Sequence, residues 1–290
     1  MDVLTELQGY TLKQKIFETR QRIYEWIQHW GLDKVYISFS GGKDSTVLLD
    51  LVRRDFPEIE ACFVNTGLEY PEVVKFVRKF DNVAWLRPAM NFKDVLAKYG
   101  YPVVSKEVAQ KIYEYRRTKS DKLRNKRWNG DAKGNGKIPE KWKFLVDAPF
   151  DISHMCCDIM KKRPLKKYEK KSGKYSFIGT MADDSRFRLQ SYLRYGCNAF
   201  DMSRPRSTPI SFWLEEDIWA YIKMRNLPYS TIYDMGYANT GCVFCAFGAH
   251  NDNGIDGKFV CMKKTHPGLY NYCMDDLEME MILDFIGVPY

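Results

Sequence analysis

The chain has 290 residues, 45% hydrophobic and 28% charged, with a net charge of +8. That length can bury a full core, and the composition is that of a soluble globular protein, which excludes a fibrous or wholly disordered chain. No apolar run approaches the about 18 residues of a membrane span, and Met1-Asp2-Val3-Leu4-Thr5-Glu6 carries neither a basic n-region nor an apolar h-region, so a cytoplasmic protein is expected.

Residues 11–30 carry Leu12, Ile16, Ile23, Ile27 and Trp30 close to helical period, with Thr11 or Thr5 as a capping residue and Gly31 as the stop. Val35-Tyr36-Ile37-Ser38-Phe39 reads as a strand. Ser40-Gly41-Gly42-Lys43-Asp44-Ser45 follows, and Thr46 to Val52 reads as a buried helix. Strand, glycine turn and helix together make an anion site, because glycines let the backbone approach a phosphate and the first helical N–H groups point at it. The sextet is not a Walker A loop. Ile37 stands where that pattern needs Gly, and Asp44 stands where it needs Ser or Thr.

Ile59–Val64 reads as a second strand, Val73–Phe80 as a short helix and Val83–Leu86 as a third strand. This alternation predicts an α/β fold with a parallel, helix-flanked twisted sheet. Ligands of such sheets lie outside the carboxyl ends of the strands, where Ser38 and the loop Asn65-Thr66-Gly67 stand. Phe92–Lys98 and Val108–Arg117 read as helices. From Arg116 to Lys143 there are eleven Lys or Arg and three Asp or Glu, so the net charge is concentrated in one basic stretch. Such a stretch suggests a polyanion contact, DNA or tRNA, although a solvated mobile insertion has the same composition. Trp128, Trp142 and Phe144 interleave with the cations and could stack on bases or anchor the loop.

Ser153 to Leu165 opens as a helix containing Cys156-Cys157, and Tyr175–Gly179 reads as a further strand with Thr180–Arg188 as its loop. An amphipathic helix covers Trp213–Ile222, its Trp213, Trp219 and Tyr221 read as core, and a Cys242-x-x-Cys245 knuckle follows. The expected division is a nucleotide-binding half (1–115), a basic insertion (116–146), the rest of the α/β domain with the Cys pair (147–225), and a C-terminal lobe with the knuckle (226–290).

Eight cysteines without a secretion signal favour metal or catalysis over disulfides. Cys156, Cys157, Cys242 and Cys245 offer four thiols, with 84 residues between the two pairs. Four thiolates suit tetrahedral zinc or a [4Fe–4S] cluster, and the vicinal pair favours the cluster. His154 and His250 are neighbours that could assist or simply be partly buried polar residues.

The glycine sextet matches the PP-loop of ATP pyrophosphatases, which split ATP between its α and β phosphates. The Cys-Cys and Cys-x-x-Cys spacing resembles iron–sulfur adenylylsulfate (APS) reductases within the PAPS reductase family. Lys162-Arg163-Pro164-Leu165, the loop Asn65 to Glu72 and the loop Gly179 to Arg188, with Asp184, Ser185 and Arg188 in register, are similar to that family's motifs. The resemblance covers residues 35–110 and 150–250. Three departures stand out. The reductases carry a nucleophilic Cys followed by Gly-Leu-His near the C-terminus, whereas Cys261 and Cys273 here precede Met262-Lys263 and Met274-Asp275. The reductase loop also usually lacks the full phosphate-binding sextet. Met181 stands where the family's first loop Arg would be.

The chain therefore resembles the ATP-using iron–sulfur branch, which includes enzymes of the DndC type that phosphorothioate DNA and of the TtcA type that thiolate tRNA. The resemblance implies AMP-forming adenylation in sulfur transfer, with a sulfur donor such as a cysteine desulfurase; a homodimer is compatible. Gly41 to Ser45 would bind ATP, with Lys43 and the Ser40 and Ser45 hydroxyls assisting, Asp44 holding Mg²⁺, and Ser38, Asn65, Thr66, Gly67 and Gly179 as further nucleotide contacts. Lys43, Asp44 and Arg188 are the candidate catalytic groups. Lys106, Arg163, Asp184, Ser185 and Arg188 are the candidate substrate contacts. The competing readings are a thioredoxin-type PAPS or APS reductase releasing sulfite and a zinc-knuckle nucleic-acid-binding protein without catalysis.

Overall fold

The computed structural model describes residues 3–251 and 257–290. The chain forms two compact units. The first comprises Met1–Asn65, Glu69–Arg87 and Pro164–Thr240, and the second comprises Thr66–Leu68, Pro88–Arg163 and Gly241–Tyr290.

In chain order, the first unit opens with α1 (Val3–Gln8), α2 (Leu12–Trp30), β1 (Val35–Ser38), α3 (Lys43–Arg53), β2 (Ala61–Val64), α4 (Pro71–Val77) and β3 (Val83–Leu86). The second unit supplies α5 (Phe92–Tyr99), β4 (Val103–Val104), α6 (Lys106–Arg117) and α7 (Asp121–Asn129). Helix α8 (Arg163–Ser172) leads to β5 (Tyr175–Ile178), α9 (Arg186–Tyr195), β6 (Asn198–Ala199), β7 (Arg206–Ser207) and α10 (Glu215–Arg225). The second unit closes with β8 (Ala246–Phe247), α11 (Lys258–Thr265), α12 (Pro267–Asn271) and α13 (Met279–Phe285).

The first unit is built on a six-stranded sheet in the order β3-β2-β1-β5-β7-β6. Every pairing is parallel except that of β6 with β7. β1 reads Val-Tyr-Ile because helices cover both faces of a parallel sheet, and Val35, Tyr36 and Ile37 are all buried. β2 lies on one side of β1 and β5 on the other. The connection reverses there, so the loops after β1 and β5 meet at the switch point where ligands of such sheets bind.

Helix α2 starts at Thr11, whose Oγ1 accepts from Gln14 N at 3.4 Å. Its buried face is Lys15, Thr19, Ile23 and Trp26, whereas Leu12, Ile16, Ile27 and Trp30 are only half-buried. The apolar stripe expected from the sequence is displaced because two polar residues find buried partners. Lys15 Nζ meets Asp217 Oδ2 at 2.6 Å, and Thr19 Oγ1 accepts from Trp213 Nε1 at 2.8 Å. Trp213 and Tyr221 are fully buried core residues, as expected. Thr19→Val would strand the Trp213 N–H, and an expected loss of about 1–3 kcal/mol is measurable by urea unfolding.

The second unit joins segments far apart in sequence, because β4 pairs in parallel with β8. The expected division into four consecutive parts is therefore replaced by an interleaved one. The Cys156-Cys157 segment folds with the CxxC lobe instead of with the sheet. The basic stretch is folded as well. Arg116 donates to the carbonyls of Leu145, Val146, Ala148 and Phe150, Tyr115 lies against Trp128, and Phe144 lies against Phe285. Lys143 Nζ sits 4.5 Å from the centre of the Trp128 ring, so a cation already covers a face that could have stacked on a base. None of the described helices is long and apolar enough to cross a membrane.

Candidate nucleotide loop and cysteine site

The loop after β1 turns at Gly41, whose φ of +74° lies in the left-handed region that favours glycine. A Cβ at Gly41 would stand 2.7 Å from Val77 Cγ2, and one at Gly42 would stand 2.7 Å from Thr240 Oγ1. Gly42 is the N-cap of α3, so the N–H groups of Lys43 and the next residues open from the positive end of the helix. The two serines brace the turn from within. Ser45 Oγ accepts from Ser40 N at 3.2 Å and donates to Gly42 O at 2.9 Å, while Ser40 Oγ accepts from Gly42 N at 3.3 Å. Hydroxyls expected to point at a ligand thus hold the loop's shape in this state.

Gly179 at the end of β5 completes the floor of the loop. A Cβ there would meet the Asp44 carbonyl oxygen at 2.9 Å and Ser45 Cα at 3.0 Å, both backbone atoms that cannot rotate away. Ser38 pairs in register with Cys62 on β2 and Ile178 on β5. Asn65 N donates to Leu86 O at 2.9 Å, at the carboxyl end of β2. Thr66 and Gly67 belong to the second unit, where Thr66 Oγ1 accepts from Leu68 N and Leu68 O accepts from Val243 N.

Lys43 is buried, with Nζ 3.3 Å from Ala238 O, 3.2 Å from Glu215 Oε1 and 3.7 Å from Asp44 Oδ1. Burial works to lower its pKa, but Asp44, Tyr233 and Glu215 outweigh it and the net shift is upward, so the ammonium stays charged. The Asp44 carboxyl is raised, first by burial and then by Asp184 and Glu215, against the opposing charges of Lys43 and Arg188. Its Oδ1 is buried with no hydrogen-bond partner. A buried carboxylate oxygen left unpaired beside an anion cradle fits a divalent cation.

Asp184 and Arg188 form an ion pair at the start of α9, and Asp184 Oδ2 also accepts from Met181 N at 2.9 Å. Ser185 caps α9, its Oγ accepting from Arg188 N at 3.4 Å. Sequence reading took this stretch for a loop, but α9 starts inside it. Arg163 pairs with Asp158 at 2.8 Å in the second unit.

Cys156, Cys157, Cys242 and Cys245 all lie in the second unit. A hydrogen bond between Cys156 and Cys157 raises the first and lowers the second, and the thiols of Cys242 and Cys245 add to the rise at Cys156. Lys106 and Lys161 help to lower Cys157, Lys106 by a hydrogen bond as well as by charge. Lys106, a candidate substrate contact, thus lies beside the Cys157 thiol. Burial pushes Cys245 up to about 11, opposed by Lys258, whose Nζ donates to the Cys242 and Cys245 carbonyls at 2.5 and 2.8 Å. His154 lies edge-on to Tyr113, with its buried Nδ1 unpaired, and His250 lies edge-on to Trp142. Among the described residues no three His, Cys, Asp or Glu side chains are gathered as ligands of one metal ion.

Tyr233, Ala238, Thr240 and Glu215 at the glycine loop, and Lys258 at the knuckle, were not singled out from the sequence.

The phosphoadenosine phosphosulfate reductase domain family matches residues 34–127 and 106–247. An uncharacterized protein of Methanocaldococcus jannaschii is 26% identical over 277 residues, covering 92% of this chain and 53% of its own length, so the chain spans about half of that relative. An adenosine 5'-phosphosulfate reductase of Geobacillus sp. (strain WCH70) is 25% identical over 253 residues, 86% of this chain and 88% of that protein. Among solved structures, a phosphoadenylyl-sulfate reductase of Candida auris in a phosphate complex covers 78% of this chain and 88% of its own, at 15% identity and a TM-score of 0.46.

Proposed function

The chain belongs to the phosphoadenosine phosphosulfate reductase domain family and is an enzyme of it, and we propose that it splits ATP to AMP and pyrophosphate in a sulfur transfer to nucleic acid. The observation that carries this reading is the pairing at the first turn of α3. There the buried Lys43 ammonium stands 3.7 Å from an Asp44 oxygen that has no hydrogen-bond partner, beside helical N–H groups. Such a site suits the β and γ phosphates and their Mg²⁺, with Asp44 as its holder. An acceptor oxygen attacks the α-phosphorus, the bond to the α–β bridging oxygen breaks, and pyrophosphate leaves with the electron pair. Lys43 neutralises the charge gathering on that leaving group, and positioning does the rest. Arg188, whose charge acts on Asp44, would serve the α-phosphate on releasing Asp184. Sulfide-level sulfur from the donor then attacks the activated centre, the bond to the adenylated oxygen breaks, and AMP leaves with that oxygen and the electron pair.

The four thiols are the proposed seat of a [4Fe–4S] cluster, which four cysteines would close, and which when bound would serve the sulfur step chemically or structurally. The chain's own part is to gather Cys156, Cys157, Cys242 and Cys245 beside the cations Lys106, Lys161 and Lys258, which stabilise thiolates.

The reductase reading has the names of relatives such as the Geobacillus protein in its favour. Against it, Cys273 is fully buried with its thiol pushed up to about 12, and Cys261 is half-buried on α11. Neither resembles a mobile nucleophile.

Incubation with ATP and Mg²⁺ should release AMP and pyrophosphate; ADP and phosphate would overturn the proposal, and sulfite from APS or PAPS would promote the reductase. The acceptor is tested on the exposed cations Lys122, Lys133 and Lys137 of the basic stretch. Replacing all three with Ala should weaken binding of tRNA or single-stranded DNA and flatten the dependence of log K on log[salt] by about two. An unchanged slope would remove this stretch from the interface.

A further inference from the structure

Two donors of the glycine loop, the Lys43 N–H and the Lys43 ammonium, already have acceptors in the chain itself. Lys43 N, the first helical N–H after the Gly42 cap, donates to the Tyr233 hydroxyl at 2.8 Å. The Lys43 ammonium donates to Ala238 O at 3.3 Å and lies 5.6 Å from the centre of the Tyr233 ring. Thr240 closes the other side. Its Oγ1 would stand 2.7 Å from a Cβ on Gly42, and it hydrogen-bonds Tyr233. The segment that brings these groups in is a run of turns in which Tyr233 N, Asp234 N, Met235 N and Gly236 N bond to the carbonyls three residues before them. The buried Ile232 pins its start, and Trp219 sets the Tyr233 ring edge-on at 5.4 Å. Beyond Gly236, which has a φ of +90° and open space at its α-carbon, Ala238 and Asn239 are exposed.

A tyrosine hydroxyl and a carbonyl are acceptors, as phosphate oxygens are. They sit on the N–H and the ammonium that an anion would use. We propose that the strap from Tyr233 to Thr240 is a gate on the glycine loop, which holds the Lys43 N–H and ammonium in the free protein and gives them up to the β and γ phosphates of a bound nucleotide. The inference rests on the nucleotide reading of the loop. It adds that binding is an exchange of acceptors, so the free protein carries a built-in competitor.

The competitor can be removed one atom at a time. Tyr233→Phe keeps the ring against Trp219 and deletes the hydroxyl, leaving the Lys43 N–H without its partner. One net hydrogen bond then no longer opposes binding. ATP with Mg²⁺, and inorganic pyrophosphate alone, should bind about two- to tenfold more tightly by calorimetry. AMP, which lacks the β and γ phosphates, should bind as it does to the wild type. Thr240→Ala, which loosens the hydroxyl, should move both affinities in the same direction by less, and the double variant should match Tyr233→Phe alone. Unchanged or weaker binding of ATP and pyrophosphate in Tyr233→Phe, or an equal gain for AMP, would overturn the gate while leaving the nucleotide site standing. Binding of neither ATP nor pyrophosphate at millimolar concentration by any variant would overturn the nucleotide reading itself, and the gate with it.

Discussion

Lys43→Met is expected to lower the rate of AMP and pyrophosphate release by about 10²–10³-fold, the cost of removing one buried group that stabilises developing charge. The side chain is 4% exposed, and its ammonium is held among Ala238 O, Glu215 and Asp44 at 3.2 to 3.7 Å. Water cannot replace it there. The substitution has a second consequence through Asp44, whose carboxyl is raised by burial and held back by the Lys43 charge. Without that charge it rises further. A carboxyl raised in the folded state binds more protons there than in the unfolded chain, so its contribution to stability is present at low pH and lost as pH rises through the folded value. Lys43→Met should accordingly lose more stability near neutrality than in acid. The acid limb of its residual activity should shift to higher pH, because Asp44 must be ionised to hold a cation. Quenched-flow product analysis across pH, alongside thermal melts, checks both. Wild-type rates in Lys43→Met would dismiss the loop as the reacting site.

Cys245→Ser should abolish the broad absorption near 400 nm of anaerobically purified protein and strip it of iron. Substitutions that only touch metal ligands from outside cost about 10–100-fold in affinity, and loss of a ligand costs more. Cys245 is the strict case because burial pushes its thiol up to about 11. Metal must displace that proton, so reconstitution of the wild type should be more complete at alkaline than at acid pH. Sulfur transfer should be lost in Cys245→Ser while the loop in the other unit still binds ATP. Full iron content in the variant, or stoichiometric zinc in the wild type, would refute the assignment of the four thiols to a cluster.

The parts of this protein that the sequence makes legible are those whose physics is local. Val35-Tyr36-Ile37 must be a covered strand. Gly41-Gly42 must turn, and the residues after them have a helical start that leaves N–H groups free. Repeated once more with β2, α4 and β3, that pattern dictates a parallel sheet with its ligand edge at the carboxyl ends. Helices α7 and α9 gave no such local signal. Neither buries a residue, so neither carries a 3.6-residue apolar period to read.

What the sequence determined by itself is the phosphate-type turn, the fold class built around it, and the presence of four thiols in two pairs. What only the tertiary structure decided is who stands next to whom across long stretches of chain. Tyr233 lies 190 residues from the N–H it accepts from, Lys15 lies 202 residues from Asp217, and Lys106 stands beside Cys157. A period or a turn motif is a property of consecutive residues, and hydrophobic burial and backbone geometry enforce it wherever it occurs. A partner for a buried ammonium, hydroxyl or N–H is set by which segments packing brings together, and any of many polar groups along the chain could supply it. The glycine loop was therefore legible as a cradle, while the strap that fills it was not.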